Sequence, residues 1–157
     1  MELNSLEYVK LIAWIAAFKH RVILNKTQMQ KLLFMCYGQA LAMEGKPLFA
    51  DDTPKAWPFG PVFPRSYKRY EEMMPSDLSP EEKNRFAQNI PILQMIARTV
   101  AEYCHVSATR LSDWSHSKGS PWWNTVFDPQ DGSAWNREIP LPRIKTYFQN
   151  ENWRVGI

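Results

Sequence analysis

The sequence predicts a compact all-α single domain whose helices are joined by an ordered, proline-rich aromatic connector. Apolar residues recur at helical spacing along most of the chain, and capping residues precede these stretches. The 12 prolines, against 6 glycines, favour short helices with rigid joints. With 157 residues, 45% hydrophobic and 22% charged, the chain is large enough for one core and too apolar for disorder. We therefore expect one domain over residues 1–157.

Capping signals locate the predicted helices. Asn4 with Glu7 and Thr27 with Gln30 have the spacing of capping boxes, and Gly45 is a natural helix end. Arg21–Asn25 is predicted as a linker. Two further helices are predicted, one from Pro64 to Met73 and one beginning at Ser79. After a break at Pro91, a helix is predicted over Leu93–Cys104, followed by helices from Ser107 to near Gly119, at Ser120–Trp123 and over Pro140–Phe148. A loop is predicted at Asp128–Ser133.

The connector from Lys46 to Pro64 contains five prolines and therefore is not helical. Its aromatic residues indicate that it packs against the domain. A short strand pair near Leu48 and Ala56–Trp57 is an alternative to an irregular loop. Within the connector we expect Trp57 and Val62 to be packed and Phe59 and Phe63 to lie nearer the surface.

No residue pattern indicates catalysis. Cys36 and Cys104 lie in apolar helical stretches, where a buried reduced thiol is usual. His20, His105 and His116 are far apart and show no zinc-ligand spacing, and there is no glycine-rich phosphate loop. We therefore expect no enzyme activity, no metal and no cofactor.

The net charge of +3 is modest for a dedicated nucleic-acid binder. On a helix, Arg65, Lys68 and Arg69 share one face, which is either a docking face for an acidic partner or nucleic acid, or a solvated face with Tyr67 turned inward. We favour the solvated face, and we interpret Asp51–Asp52 as a solvated acidic pair.

Two further positions bear on a binding surface. Trp122 and Trp123 cannot both point inward from one helical turn, so one of them is expected to be exposed. Lys31 lies off the apolar stripe of its helix and is expected to be accessible to a partner. The predicted partner-binding residues are Lys31, Phe59, Phe63, Arg65, Lys68, Arg69 and Trp123.

Several motifs occur in a fixed order along the chain. They are Gln30–Lys31–Leu32–Leu33–Phe34, Gly45–Lys46–Pro47–Leu48–Phe49, Ala56–Trp57–Pro58–Phe59–Gly60–Pro61–Val62–Phe63–Pro64 with Tyr67, Ser107–Ala108 with Leu111–Ser112 and His116, and Gly119–Ser120–Pro121–Trp122. Together they resemble the Panacea domain, a SocA-like family of bacterial and phage-associated proteins. The resemblance spans about Thr27 to Trp122.

The resemblance implies an antitoxin that neutralises a toxin, encoded beside it, through direct protein contact. An adaptor that delivers a toxin to a protease is the alternative within the family, and a nucleic-acid or regulatory binding domain is a further one. A homo-oligomer stays open. The resemblance implies a scaffold role for Gln30, Leu32, Leu33, Trp57, Gly60, Pro61, Val62, Tyr67, His116, Pro121 and Trp122.

The apolar stretch Val9–Phe18 is too short to span a bilayer, and no export signal is evident, so we expect a cytoplasmic protein.

Overall fold

The computed structural model describes residues 2–128 and 136–155. The elements of these residues are α1 (Ser5–His20), α2 (Lys26–Glu44), β1 (Lys55–Trp57), β2 (Gly60–Val62), α3 (Pro64–Arg69), α4 (Pro80–Phe86), α5 (Ile90–Tyr103), α6 (Ala108–Ser115), α7 (Pro121–Val126), β3 (Arg137–Glu138), α8 (Leu141–Gln149) and a 3-10 turn at Glu151–Trp153. The predicted fold class, a mainly helical domain, is confirmed. Of the predicted loop Asp128–Ser133, residues 129–133 lie outside the described residues.

The first two helices begin at capping boxes, as expected from their polar first residues. The box of Asn4 and Glu7 is confirmed at the start of α1. The second box is formed by Asn25 and Gln28, so the prediction of Thr27 with Gln30 is wrong and α2 begins earlier. The reason is that the Gln30 side chain is directed into the core. The predicted end of α2 at Gly45 is confirmed, with a positive φ of 75°.

Helix α2 is the centre of the domain because α1, α5, α6 and α8 all pack around it. It is therefore buried on nearly every side and does not have a single apolar stripe. Lys31, expected to lie away from the core, is 1% exposed, and that expectation is wrong. The closest approach is to α8, where a Cβ atom on Gly38 would lie 2.1 Å from Cδ2 of Phe148.

The connector forms an antiparallel hairpin. Strands β1 and β2 pair Lys55 with Val62 and Trp57 with Gly60, which leaves a tight turn at Pro58–Phe59. Strand β3 adds to the other side of β1, giving the order β2-β1-β3. The strand predicted at Ala56–Trp57 is confirmed, but Leu48 lies outside the sheet.

The later helices begin where their caps predict. Ser79, Ser107 and Ser120 each accept a hydrogen bond at the start of the following helix. Pro91 lies in the first turn of α5, so the break falls before it, at residues 87–89, and the helix begins earlier than predicted. Helix α3 is shorter than predicted and ends at Arg69. Among the described residues, no helix combines the length and apolar character that crossing a membrane requires.

Candidate functional site

The hairpin turn is held in place through its main-chain carbonyl groups. Side chains from α2, from α6 and its cap, and from α7 lie around the turn and direct polar atoms at it. Trp122 Nε1 donates to the Trp57 carbonyl (2.7 Å), His116 Nε2 lies 2.8 Å from that of Pro58, Ser112 Oγ donates to that of Phe59 (3.4 Å), and Lys31 Nζ donates to that of Pro61 (3.2 Å). We call Lys31, Ser112, His116 and Trp122 the hairpin clamp.

His116 connects the end of α6 to the turn. Its Nδ1 lies 2.6 Å from the Ser112 carbonyl, and its ring packs edge-on against Trp122 at 4.3 Å between centroids. Because both ring nitrogens face carbonyl oxygens, both contacts are hydrogen bonds only when each nitrogen carries a hydrogen. The Pro58 contact, across 58 residues, was missed because nothing local indicates it.

Lys31 is a buried ammonium group beneath the hairpin. Burial lowers the pKa of Lys31 from its ordinary 10.5 to about 7, since the charged form loses its hydration. A Cβ atom on Gly60 would lie 2.9 Å from Lys31 Nζ and 2.4 Å from Ser115 Oγ. The hairpin therefore packs directly onto these two polar side chains. Lys31 is not accessible to a partner, contrary to the prediction.

Gln30 joins the hairpin to the core below it. Its Oε1 accepts a hydrogen bond from the Phe63 backbone N–H at 2.8 Å, and its Nε2 donates to Ser66 Oγ at 3.0 Å. The Phe63 ring packs against Tyr37 and Phe49, with centroids 5.1 and 5.2 Å away. Phe63 is completely buried. The prediction that it lies near the surface and binds a partner is wrong, because its ring completes this aromatic cluster.

Phe59 is the most exposed aromatic residue of the hairpin, at 48% exposure, as the sequence predicted. Its ring contacts that of Trp57 at 6.3 Å, and Trp57 in turn contacts Tyr67 at 5.4 Å. Trp57 and Tyr67 are both half-buried, so Trp57 is less enclosed than expected. We call Trp57, Phe59 and Tyr67 the aromatic ridge.

A second aromatic pair lies on α7 and its end. Trp122 is buried and Trp123 is half-buried, so the two tryptophans differ in burial, but neither is fully exposed as the sequence predicted. The Trp123 ring lies 4.4 Å from that of Phe127, which is 57% exposed. Phe127 also contacts the clamp residue Trp122 at 6.4 Å. Sequence reasoning missed Phe127, since a single aromatic residue after a short helix carries no signal of exposure.

The basic cluster of α3 is divided. Arg65 Nη1 pairs with Asp51 Oδ2 at 2.9 Å, and the Arg65 backbone N–H donates to Asp52 at 2.8 Å. Lys68 and Arg69 are exposed. Asp51–Asp52 is therefore not merely a solvated pair, because the two carboxylates bind the first turn of α3. The cationic face that remains on α3 consists of Lys68 and Arg69.

Fold and site together define a helical protein that fixes an aromatic hairpin through its backbone and presents aromatic side chains at the surface. The chain belongs to the antitoxin SocA-like, Panacea domain family, whose profile matches residues 29–123. The matched range includes the whole hairpin clamp and the aromatic ridge. No curated protein and no solved structure gave a match.

Proposed function

We propose that this protein is an antitoxin that neutralises a cognate toxin by direct binding, with the aromatic ridge as the centre of the contact. The observation that carries the proposal is the exposure of Phe59 on a turn whose carbonyl groups are hydrogen-bonded to three helices. Aromatic residues are frequent binding hot spots, and a rigid loop loses little entropy on binding. Membership of an antitoxin-type family supports a toxin as the partner.

The binding surface extends to Trp123 and Phe127. These residues connect to the ridge through Trp122, which contacts Phe127 and hydrogen-bonds to the Trp57 carbonyl. A toxin seated here buries the rings of the aromatic ridge together with those of Trp123 and Phe127 and requires neither catalysis nor a cofactor. The neutralised toxin is the product of a neighbouring gene, and the complex forms in the cytoplasm.

The test is co-expression of this chain with the product of the adjacent gene, comparing wild type with Phe59→Ser. Met73→Ser is the matched control, since Met73 is 57% exposed and lies between α3 and α4. We expect wild type and Met73→Ser to restore growth and to co-elute with the toxin. We expect Phe59→Ser to weaken binding by at least about 30-fold, the size of a typical hot spot, without changing the melting temperature of the free protein.

Equal binding by Phe59→Ser and wild type would exclude the ridge as the contact. Absence of both a complex and growth rescue refutes the antitoxin role toward that neighbour. If the toxin disappears in cells with an active protease but accumulates in a protease-deficient strain, proteolytic delivery is the mechanism.

The nucleic-acid alternative rests on the exposed pair Lys68 and Arg69. Its signature is binding that weakens steeply with salt and is lost when both charges are removed. Two exposed cations are a small basis for such binding, so we favour the protein partner.

A further inference from the structure

Three metal-ligating side chains that are distant in the sequence meet at one end of the helical bundle. His20 is the last residue of α1, Cys104 follows the last residue of α5, and His105 comes next. One ligand atom from each residue lies within 4.8 Å of the other two. Cys104 is buried, His20 is half-buried and His105 is exposed, so the cluster opens to solvent on one side.

The surroundings favour a cation. The carboxyl-terminal ends of α1 and α5 meet here, and a helix carries partial negative charge at that end. Over residues 2–128 and 136–155, the imidazole rings of His20 and His105 have no hydrogen-bond partner, so their ring nitrogens are available as ligands. The ammonium group of the neighbouring Lys19 lies over the Trp14 ring, 5.4 Å from its centroid.

We propose that His20, Cys104 and His105 bind one zinc ion per chain. Two imidazole nitrogens and one thiolate are a donor set that zinc prefers. In a tetrahedral zinc site such atoms lie about 3.5 Å apart, so rotation of the exposed His105 side chain closes most of the remaining distance. A water molecule on the solvent side of His105 completes the coordination.

Binding is a ligand exchange without electron transfer. Zn²⁺ releases water molecules and gains two neutral imidazoles and the Cys104 sulfur, and the thiol proton passes to solvent. The ion then joins the ends of α1 and α5. The site is independent of the proposed toxin contact, because none of its residues belongs to the aromatic ridge or the hairpin clamp.

The test uses the full chain, purified without a histidine tag, with Co²⁺ as the spectroscopic probe and Zn²⁺ as the competitor. We expect one Co²⁺ per chain, with a thiolate-to-cobalt charge-transfer band that Zn²⁺ abolishes. Cys104→Ala removes the band, whereas the matched control Cys36→Ala retains it, since Cys36 is also buried but is not part of the cluster.

His105→Gln keeps the proposal testable if the cysteine variants fold poorly, because His105 is exposed. We expect this variant to bind Zn²⁺ at least about tenfold more weakly and to lose the increase in melting temperature that zinc gives the wild type. The proposal is overturned if no charge-transfer band forms, if Cys104→Ala keeps it, if His105→Gln binds as tightly as wild type, or if the metal bridges two chains.

Discussion

Gly60 lies so close to Lys31 that a Cβ atom added to the glycine would stand 2.9 Å from the lysine Nζ. The same atom would stand 2.4 Å from Ser115 Oγ. Gly60 also has a φ of +110°, which residues with a side chain rarely adopt. Glycine is therefore required here both for backbone conformation and for the contact of the hairpin with α2 and α6.

Gly60→Ala tests this contact. We expect the free energy of unfolding to fall by about 3 kcal/mol or more, because backbone strain of about 1–3 kcal/mol adds to the clash with Ser115. The control is Gly45→Ala, where φ is +75° and no atom lies within 4 Å of the added Cβ. That variant should lose only the strain, about 1 kcal/mol. Equal losses in urea unfolding would contradict the close packing at Gly60.

Lys31→Met is expected to change how stability depends on pH. With a pKa of about 7 in the fold and 10.5 when unfolded, Lys31 binds fewer protons in the folded protein between these values. The wild type therefore gains stability relative to Lys31→Met as pH rises from 7, by up to about 1.4 kcal/mol per pH unit. Below pH 7 the buried charge makes the wild type relatively less stable.

Denaturant unfolding of wild type and Lys31→Met between pH 6 and 10 measures this difference. Cys36, whose pKa burial raises to about 12, is present in both proteins, so its contribution cancels. Lys68→Met is the control for replacing a lysine with methionine at an exposed position. Parallel curves for wild type and Lys31→Met would mean that Lys31 is not buried as an ionisable group.

Gln30→Leu should destabilise the fold through an unsatisfied donor. The variant leaves the Phe63 N–H without its acceptor in a completely buried position, at a cost of about 1–3 kcal/mol. Gln88→Leu, at an exposed position on the carboxyl-terminal side of α4, is expected to change stability by less than about 0.5 kcal/mol. Thermal unfolding compares the two, and a Gln30→Leu protein as stable as wild type would refute the role of this bond.

Gly38→Ala tests the close approach of α2 and α8. The added Cβ would lie 2.1 Å from Phe148 Cδ2, and such overpacking costs about 1–3 kcal/mol. The higher helix propensity of alanine returns at most about 1 kcal/mol. Adding Phe148→Leu should make room, so the double variant should lose less stability than the sum of the single variants. Strict additivity would show that the two residues do not touch.

Features that depend on residues close together in the sequence, such as helix starts, are predicted well. Ser79 and Ser120 start helices because each cap acts on the backbone three residues away, a relationship visible in the sequence. Lys31 and Phe63 were placed wrongly because their burial depends on elements far away along the chain. For the same reason neither the Asp51–Arg65 pair nor the contact of His116 with Pro58 could be predicted.

The family resemblance identified several motif residues of the hairpin and its clamp, but it did not show what they contact. Lys31, His116 and Trp122 of the hairpin clamp come from separate motifs, and Gly60 of the hairpin packs against Lys31, so these motifs meet only in the folded protein. Their fixed spacing in the sequence therefore reflects a requirement of the scaffold. The residues with the greatest freedom to contact a partner, Phe59 and Phe127, carry no such requirement in the structure.

The hairpin clamp contacts main-chain carbonyl oxygens, and a residue of any type has this oxygen. The side chain at position 59 can therefore be exchanged during evolution while the turn keeps its shape. Under the proposed function, substitutions at position 59 change the surface offered to a toxin while the supporting helices stay the same.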